Sequence, residues 1–187
     1  MEKEKIEKAG MKGIVRIRVF DKDGREKKLF QGNRAWDFLK KVFNLDVKIK
    51  GITGNYTTEG LMYNTITNAG LALTAKRLGG ITADPITHIA IGTSTPTATA
   101  LGAEITTAGG ARAGVTPASA TTTVANDTIR ITNTFTFTSG ADFAITEEGL
   151  FNASTGGTLV ASRSFSAIGV VSGDSLQITH DIVMSTI

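Results

Sequence analysis

The chain has no cysteine. That single absence excludes disulfide staples, thiolate metal sites and a cysteine nucleophile. Aromatic residues are scarce at 6%, with one tryptophan and two tyrosines, and there are only two histidines, His88 and His180. No stretch approaches the roughly 18 apolar residues that span a bilayer, and the opening MEKEKIEKAG lacks the apolar core of a secretory signal. These absences predict no membrane partner and a protein made and folded inside a cell. No Walker-type GxxxxGK[ST], no G-x-G-x-x-G in strand-turn-helix context and no G-x-S-x-G elbow occurs.

What is abundant is glycine, at 21 residues, together with threonine and β-branched residues. The 187 residues suffice for one domain of about 120 residues plus an appended segment. Charge is divided unevenly: residues 1–50 hold 15 Lys/Arg against 8 Asp/Glu, and residues 51–187 hold 5 against 9. The split suggests two segments with different jobs. The Lys, Glu and Ile content of the first half also suits a hot habitat, where surface ion-pair networks gain value.

Residues 1–13, with the Glu/Lys run from Glu2 to Lys8, have little to bury and are expected to form a flexible arm. Ile14 to Phe20 alternates as a half-buried strand, with Val15, Ile17 and Val19 on one side and Arg16 and Arg18 on the other. Asp21-Lys22-Asp23-Gly24 is turn chemistry, so Arg25 to Gln31 is expected to return as the second arm of a hairpin. Trp36, Leu39, Val42 and Phe43 lie at helical spacing, and a second helix is predicted over Asn68 to Leu78. In it Asn68 caps the start, Leu71, Ala75 and Leu78 share a face, and Gly79-Gly80 ends the run. Residues 14–80 are therefore expected to be an anchoring region of hairpin and helices.

From residue 81 onward helical periodicity is absent. In Thr128 to Thr138, Ile129, Ile131, Phe135 and Phe137 point one way, Asn133 being the only polar residue among them, and the threonines point the other. Alternation returns in Ile86 to Ile91, Ala144 to Phe151, Thr158 to Phe165 and Ser175 to Val183, between turn signals such as Ser172-Gly173-Asp174. The expected fold class is mainly β, with residues 81–187 forming an antiparallel, jelly-roll-like β-sandwich. The threonine faces suit either water or a subunit interface.

Catalysis requires converging groups, and few are available. His180 falls on the same side as Leu176, Ile178 and Ile182, which reads as a packed, hydrogen-bonded histidine, and Asp181 points to the opposite face. Glu147 and Glu148 are adjacent, so they too diverge; a solvated pair is expected, or one of the two carboxylates paired with Arg112, Arg130 or Arg163. No catalytic, cofactor-binding or metal residue is assigned, and no enzyme is expected. The lysines and arginines of the first half are interspersed with acids and accompany no nucleic-acid-reading motif, so no nucleic-acid partner is assigned.

Five stretches in order, Ile66-Thr67-Asn68-Ala69-Gly70-Leu71, Ile86-Thr87-His88-Ile89-Ala90-Ile91-Gly92-Thr93, Ala100-Leu101-Gly102-Ala103-Glu104-Ile105, Ile145-Thr146-Glu147-Glu148-Gly149-Leu150-Phe151-Asn152 and Gly157-Thr158-Leu159-Val160-Ala161-Ser162, resemble small structural proteins of tailed bacterial and archaeal viruses. The resemblance covers roughly residues 66–183 and includes the strand Val15 to Phe20 with its turn. It implies a virion location and brings no catalytic residues. The leading expectation is a capsid decoration or cement protein, and a tail-fibre or head-fibre subunit is the alternative. The expected partners are the major capsid protein or tail- and portal-proximal virion proteins, with self-association, a trimer being favoured. A reading from another class, a carbohydrate-binding β-sandwich module, would use Trp36, Tyr56 and Tyr63 as stacking residues. Gly92 and Gly149 are read as positions where the chain turns or bends.

Overall fold

The computed structural model describes residues 9–32, 34–43, 48, 50, 52 and 54–186. Its strands, in chain order, are β1 (Ala9–Phe20), β2 (Leu29–Gly32), β3 (Gly54–Thr57), β4 (Gly60–Tyr63), β5 (Thr65–Ile66), β6 (His88–Gly92), β7 (Ala113–Gly114), β8 (Ala118–Ala120), β9 (Thr128–Thr136), β10 (Asp142–Phe151), β11 (Leu159–Val171) and β12 (Ser175–Thr186). Two helices, α1 (Arg34–Phe43) and α2 (Asn68–Leu78), are interspersed.

The strands build two five-stranded sheets, in the orders β4-β1-β12-β9-β8 and β5-β11-β10-β6-β7, and a small β2-β3 ribbon. The antiparallel sandwich expected from the alternation is the fold observed. Its wiring follows its own order: β10 turns into its neighbour β11 within one sheet, and β12 then crosses to the other.

Between the sheets lies one core. Val15, Ile17 and Val19 of β1, Ile131 and Phe135 of β9, and Leu176, Ile178 and Ile182 of β12 meet Ile89 and Ile91 of β6, Ile145 and Leu150 of β10, and Val160, Ile168 and Val170 of β11. Burying each such side chain stabilises the fold by about 1.5–3 kcal/mol. Branched residues dominate because two substituents on Cβ restrict the side chain and suit the pleated surface.

Several expectations are corrected here. Residues 1–8 of the expected arm lie outside the described residues, whereas residues 9–13 are strand and pair with residues 182–186 of β12. The sandwich does not begin at residue 81. β1 is an inner strand, flanked by β12 and β4. The hairpin from β1 is reduced to a single bridge between Phe20 and Glu26, after which β2 pairs with β3. β12 takes the whole of one edge of β1, and β4 takes Ile14 to Ile17 on the other, which leaves the returning segment only the end of the strand.

Helix α2 has the expected bounds, but Thr67 caps it, its hydroxyl accepting from the Gly70 N–H at 2.9 Å. The same hydroxyl donates to the Leu159 carbonyl at 2.6 Å, tying the cap to β11. Leu71 and Leu78 are exposed. What packs is Gly70, where a Cβ would collide with the Val160 backbone. Close backbone approach at Gly70, with Leu73 packed against the core, seats this helix in place of the expected Leu71/Ala75/Leu78 face.

Candidate functional site

The interior carries more charge than the alternation pattern suggested. Glu147, Glu148, His180 and Asp181 are all fully buried. A buried charge is retained only where hydrogen bonds or a partner replace water.

Glu147 points out of the second sheet into the loop that follows β6. Its Oε1 accepts from the Ala103 N–H at 2.8 Å and the Ser94 N–H at 3.2 Å, and its Oε2 from the Gly102 N–H at 2.9 Å. One carboxylate thereby fastens both ends of a loop across the sheet. Beneath that loop Ala90, Leu101, Phe151 and Leu159 form a second apolar cluster. Arg112 closes it, with its guanidinium 3.7 Å from the Phe151 ring centroid and bidentate to Glu104 at 2.9 and 2.7 Å.

This arrangement changes the reading of the two motif glycines. A Cβ on Gly92 would collide with Glu147 Oε1 and lie 2.5 Å from the Ala103 carbonyl oxygen. One on Gly149 would lie 2.7 Å from Leu159 Cδ1 and 3.1 Å from Leu101 Cδ2. Neither has a left-handed backbone. Gly92 is glycine because Glu147 and the roofing loop lie directly on it, and Gly149 because the apolar cluster of Leu159 and Leu101 fills the space above it, not because the chain turns there.

Glu148 points inward. Its Oε2 lies 3.2 Å from His180 Nδ1, joining the sheets through the core, and the other imidazole nitrogen meets the Asn64 side chain. Asn64 needs the space over Gly13, where a Cβ would strike its amide. The packed histidine is thus in place, but its partner went unforeseen. The signal was available: Glu148 and Leu150 are two residues apart on one strand, and so are His180 and Ile182. Neither glutamate is solvated or paired with Arg112 or Arg130.

Asp181 faces outward between two arginines. Arg130 Nε and Nη2 reach it at 2.7 and 2.8 Å, and Arg16 Nη1 at 2.5 Å. Burial acts to raise its pKa, but the hydrogen bonds and charges of Arg130 and Arg16 outweigh that and hold it below the usual carboxylate value. At the tip before β9, Asp127 accepts from the Val124, Thr122 and Thr123 N–H groups and the Thr128 hydroxyl, which hold it well below that value.

His88, in β6, bonds only the Thr87 hydroxyl at 2.8 Å and shares no partner with His180. Among the described residues no group of three or more His, Asp or Glu is placed to hold a metal. No helix of the described residues is long and apolar enough to cross a membrane. Of the three stacking candidates, the Trp36 side chain lies outside the described residues, Tyr56 packs edge-on to Phe30 at 5.4 Å, and Tyr63 carries Lys12 Nζ 4.5 Å from its ring centroid.

A cleft of about 1160 Å³ opens on the side of the sandwich where β4 faces β11. Along it the β10–β11 ladder is irregular: Ile145 pairs with Ile168, and two residues later Glu147 pairs with Ser164, so Phe165, Ser166 and Ala167 bulge out.

The fold and its interior define a structural β-sandwich, in which the buried charges are engaged in fastening loops and sheets together. The chain belongs to the family described as Podophage GP4 fiber I protein gp80, whose model matches residues 62–185, about two thirds of the length. No curated protein and no solved structure matches the chain. The match begins within β4 and ends in β12. All five motif stretches lie inside it, whereas β1, which the resemblance included, lies outside.

Proposed function

We propose that the protein is a tail-fibre or head-fibre subunit of a tailed-virus particle, built as a homotrimer and attached to tail- or portal-proximal virion proteins or the major capsid protein. The observation that carries this reading is membership of a fibre-protein family across β4 to β12. The fibre description of that family favours a fibre subunit over the capsid decoration or cement role, and a structural role over catalysis. The architecture is compatible: the outer face of the first sheet presents Thr132, Thr134, Thr136 and Thr179 to solvent, with exposed Leu61 and Tyr63 at the β4 edge. Such a face serves a contact between copies without exposing a large apolar surface in the free subunit.

Purified virions test the assignment. Antibody labelling at one end of the particle or on projecting filaments, with low copy number, is the expected result. Uniform labelling over the shell at high copy number would return the decoration role. Light scattering of the isolated protein checks the trimer, and a monomer at virion-like local concentration would refute it.

A further inference from the structure

The cleft beside β11 holds a charged group with a buried donor that has no partner among the described residues. Arg163 lines it, and its Nε is shielded from water with no hydrogen-bond partner among the described residues. Glu148, opposite Arg163 across the strand pair, directs Oε2 to His180, and its Oε1 is buried without a hydrogen-bond partner among the described residues and makes no bond to Arg163. An unpaired guanidinium donor away from water is costly, and the planar fork of arginine matches a carboxylate.

The rest of the lining is hydroxyl-rich and holds no carboxylate. Thr93, Ser94 and Thr95 border one side, and Ser164 and Ser166 come from the bulged strand. Phe165 stands between those two serines as an aromatic wall. The 93–95 border is held in place, since Glu147 binds the Ser94 N–H and the Thr146 hydroxyl donates to the Ser94 carbonyl at 2.6 Å. The other side is apolar, from Leu29, Phe30, Leu61 and Met62, so a held row of hydroxyls, apolar walls and one cationic side chain suit a ligand that carries several hydroxyls, an apolar ring face and an anionic group.

We propose that this cleft binds an acidic saccharide, with its carboxylate on Arg163 and its sugar ring against Phe165. The site differs from the stacking trio considered from sequence, of which only Tyr63 borders the cleft. It does not depend on the fibre assignment, being carried by the cleft alone.

Calorimetric titration of the full chain tests it with three probes: a glucuronate-containing oligosaccharide, a neutral glucose oligosaccharide of equal length, and inorganic phosphate. The acidic sugar should bind, and Arg163→Gln should weaken it about tenfold or more, as loss of a charge-assisted contact implies. Thr95→Trp, an exposed substitution at the mouth, should block binding with thermal unfolding unchanged. No binding of the acidic sugar, equal binding of the neutral sugar, or phosphate binding as tightly as the sugar would each overturn the proposal. If Arg163→Gln does not fold, Thr95→Trp decides alone, and undiminished binding by it would refute the site.

Discussion

The two sheets share one core but treat their outer faces in opposite ways. The second is roofed: a loop lies on β6 and β10, pinned by Glu147 and sealed by Arg112 over Phe151. The first is bare, with Thr132 opposite Thr179 at 3.1 Å between hydroxyl oxygens, Gln177 beside Thr134, and the Arg16–Asp181–Arg130 group. A roofed face demands small residues below and a satisfied anchor within. A bare face asks only that strand-forming residues tolerate water.

The largest effect should come from the core both faces depend on. Phe135→Ala should cost about 3–5 kcal/mol in denaturant unfolding, the usual result of removing a buried aromatic. Next is the anchor of the roofed face: Glu147→Gln weakens three bonds to a buried carboxylate, at roughly 2–4 kcal/mol. Hydrogen exchange at the Ser94, Gly102 and Ala103 amides should accelerate, and slow exchange retained at all three would mean that the loop is held by its apolar contacts alone. Gly92→Ala should cost about 1–3 kcal/mol by overpacking between β6 and the loop.

On the bare face the effects should be smaller and dependent on pH. The pKa of Asp181 is lower in the folded state, so its contribution is fully present above the ordinary carboxylate pKa of about 4 and is lost as pH falls through the lower folded value. Melting followed from pH 6 downward should show a loss below about 4 that Asp181→Asn reduces. An unchanged acid profile in that variant would assign the loss to other carboxylates. Smallest of all, Thr136→Ala should stay within about 0.5 kcal/mol at dilutions that dissociate the trimer, where the face is bare. A loss approaching that of Phe135→Ala would mean that the threonine face is covered, as a subunit interface in the isolated protein would require.

The charge split of the sequence also reads differently once folded. Six acids of the C-terminal part, Glu104, Asp127, Glu147, Glu148, Asp174 and Asp181, are engaged by arginines, a lysine, a histidine or backbone N–H groups. Two of the ion pairs, Arg16–Asp181 and Lys27–Asp174, join the halves that net charge had set apart. The asymmetry therefore describes complementary sides of one fold more than two separate modules.

Local patterns in the sequence were enough for β1, β6, β9, β10, β11 and β12, for the span of helix α2 and for the sandwich class, but not for the short strands β3, β4, β5, β7 and β8. A two-residue period places Ile131, Phe135, Leu176 and Ile178 inside whatever the partner strand is, and Thr67 to Gly80 carries its own start and stop. Only the tertiary structure decided which strands pair, because that choice is made between segments far apart in the chain. Arg16 meets Asp181 across 165 positions. The same holds for Glu148 with His180, for the loop packed over Gly92, and for Arg163, whose buried Nε has no partner among the described residues. Periodicity records which side of a strand meets the core, but contact and charge compensation depend on the three-dimensional neighbour, which no single segment encodes.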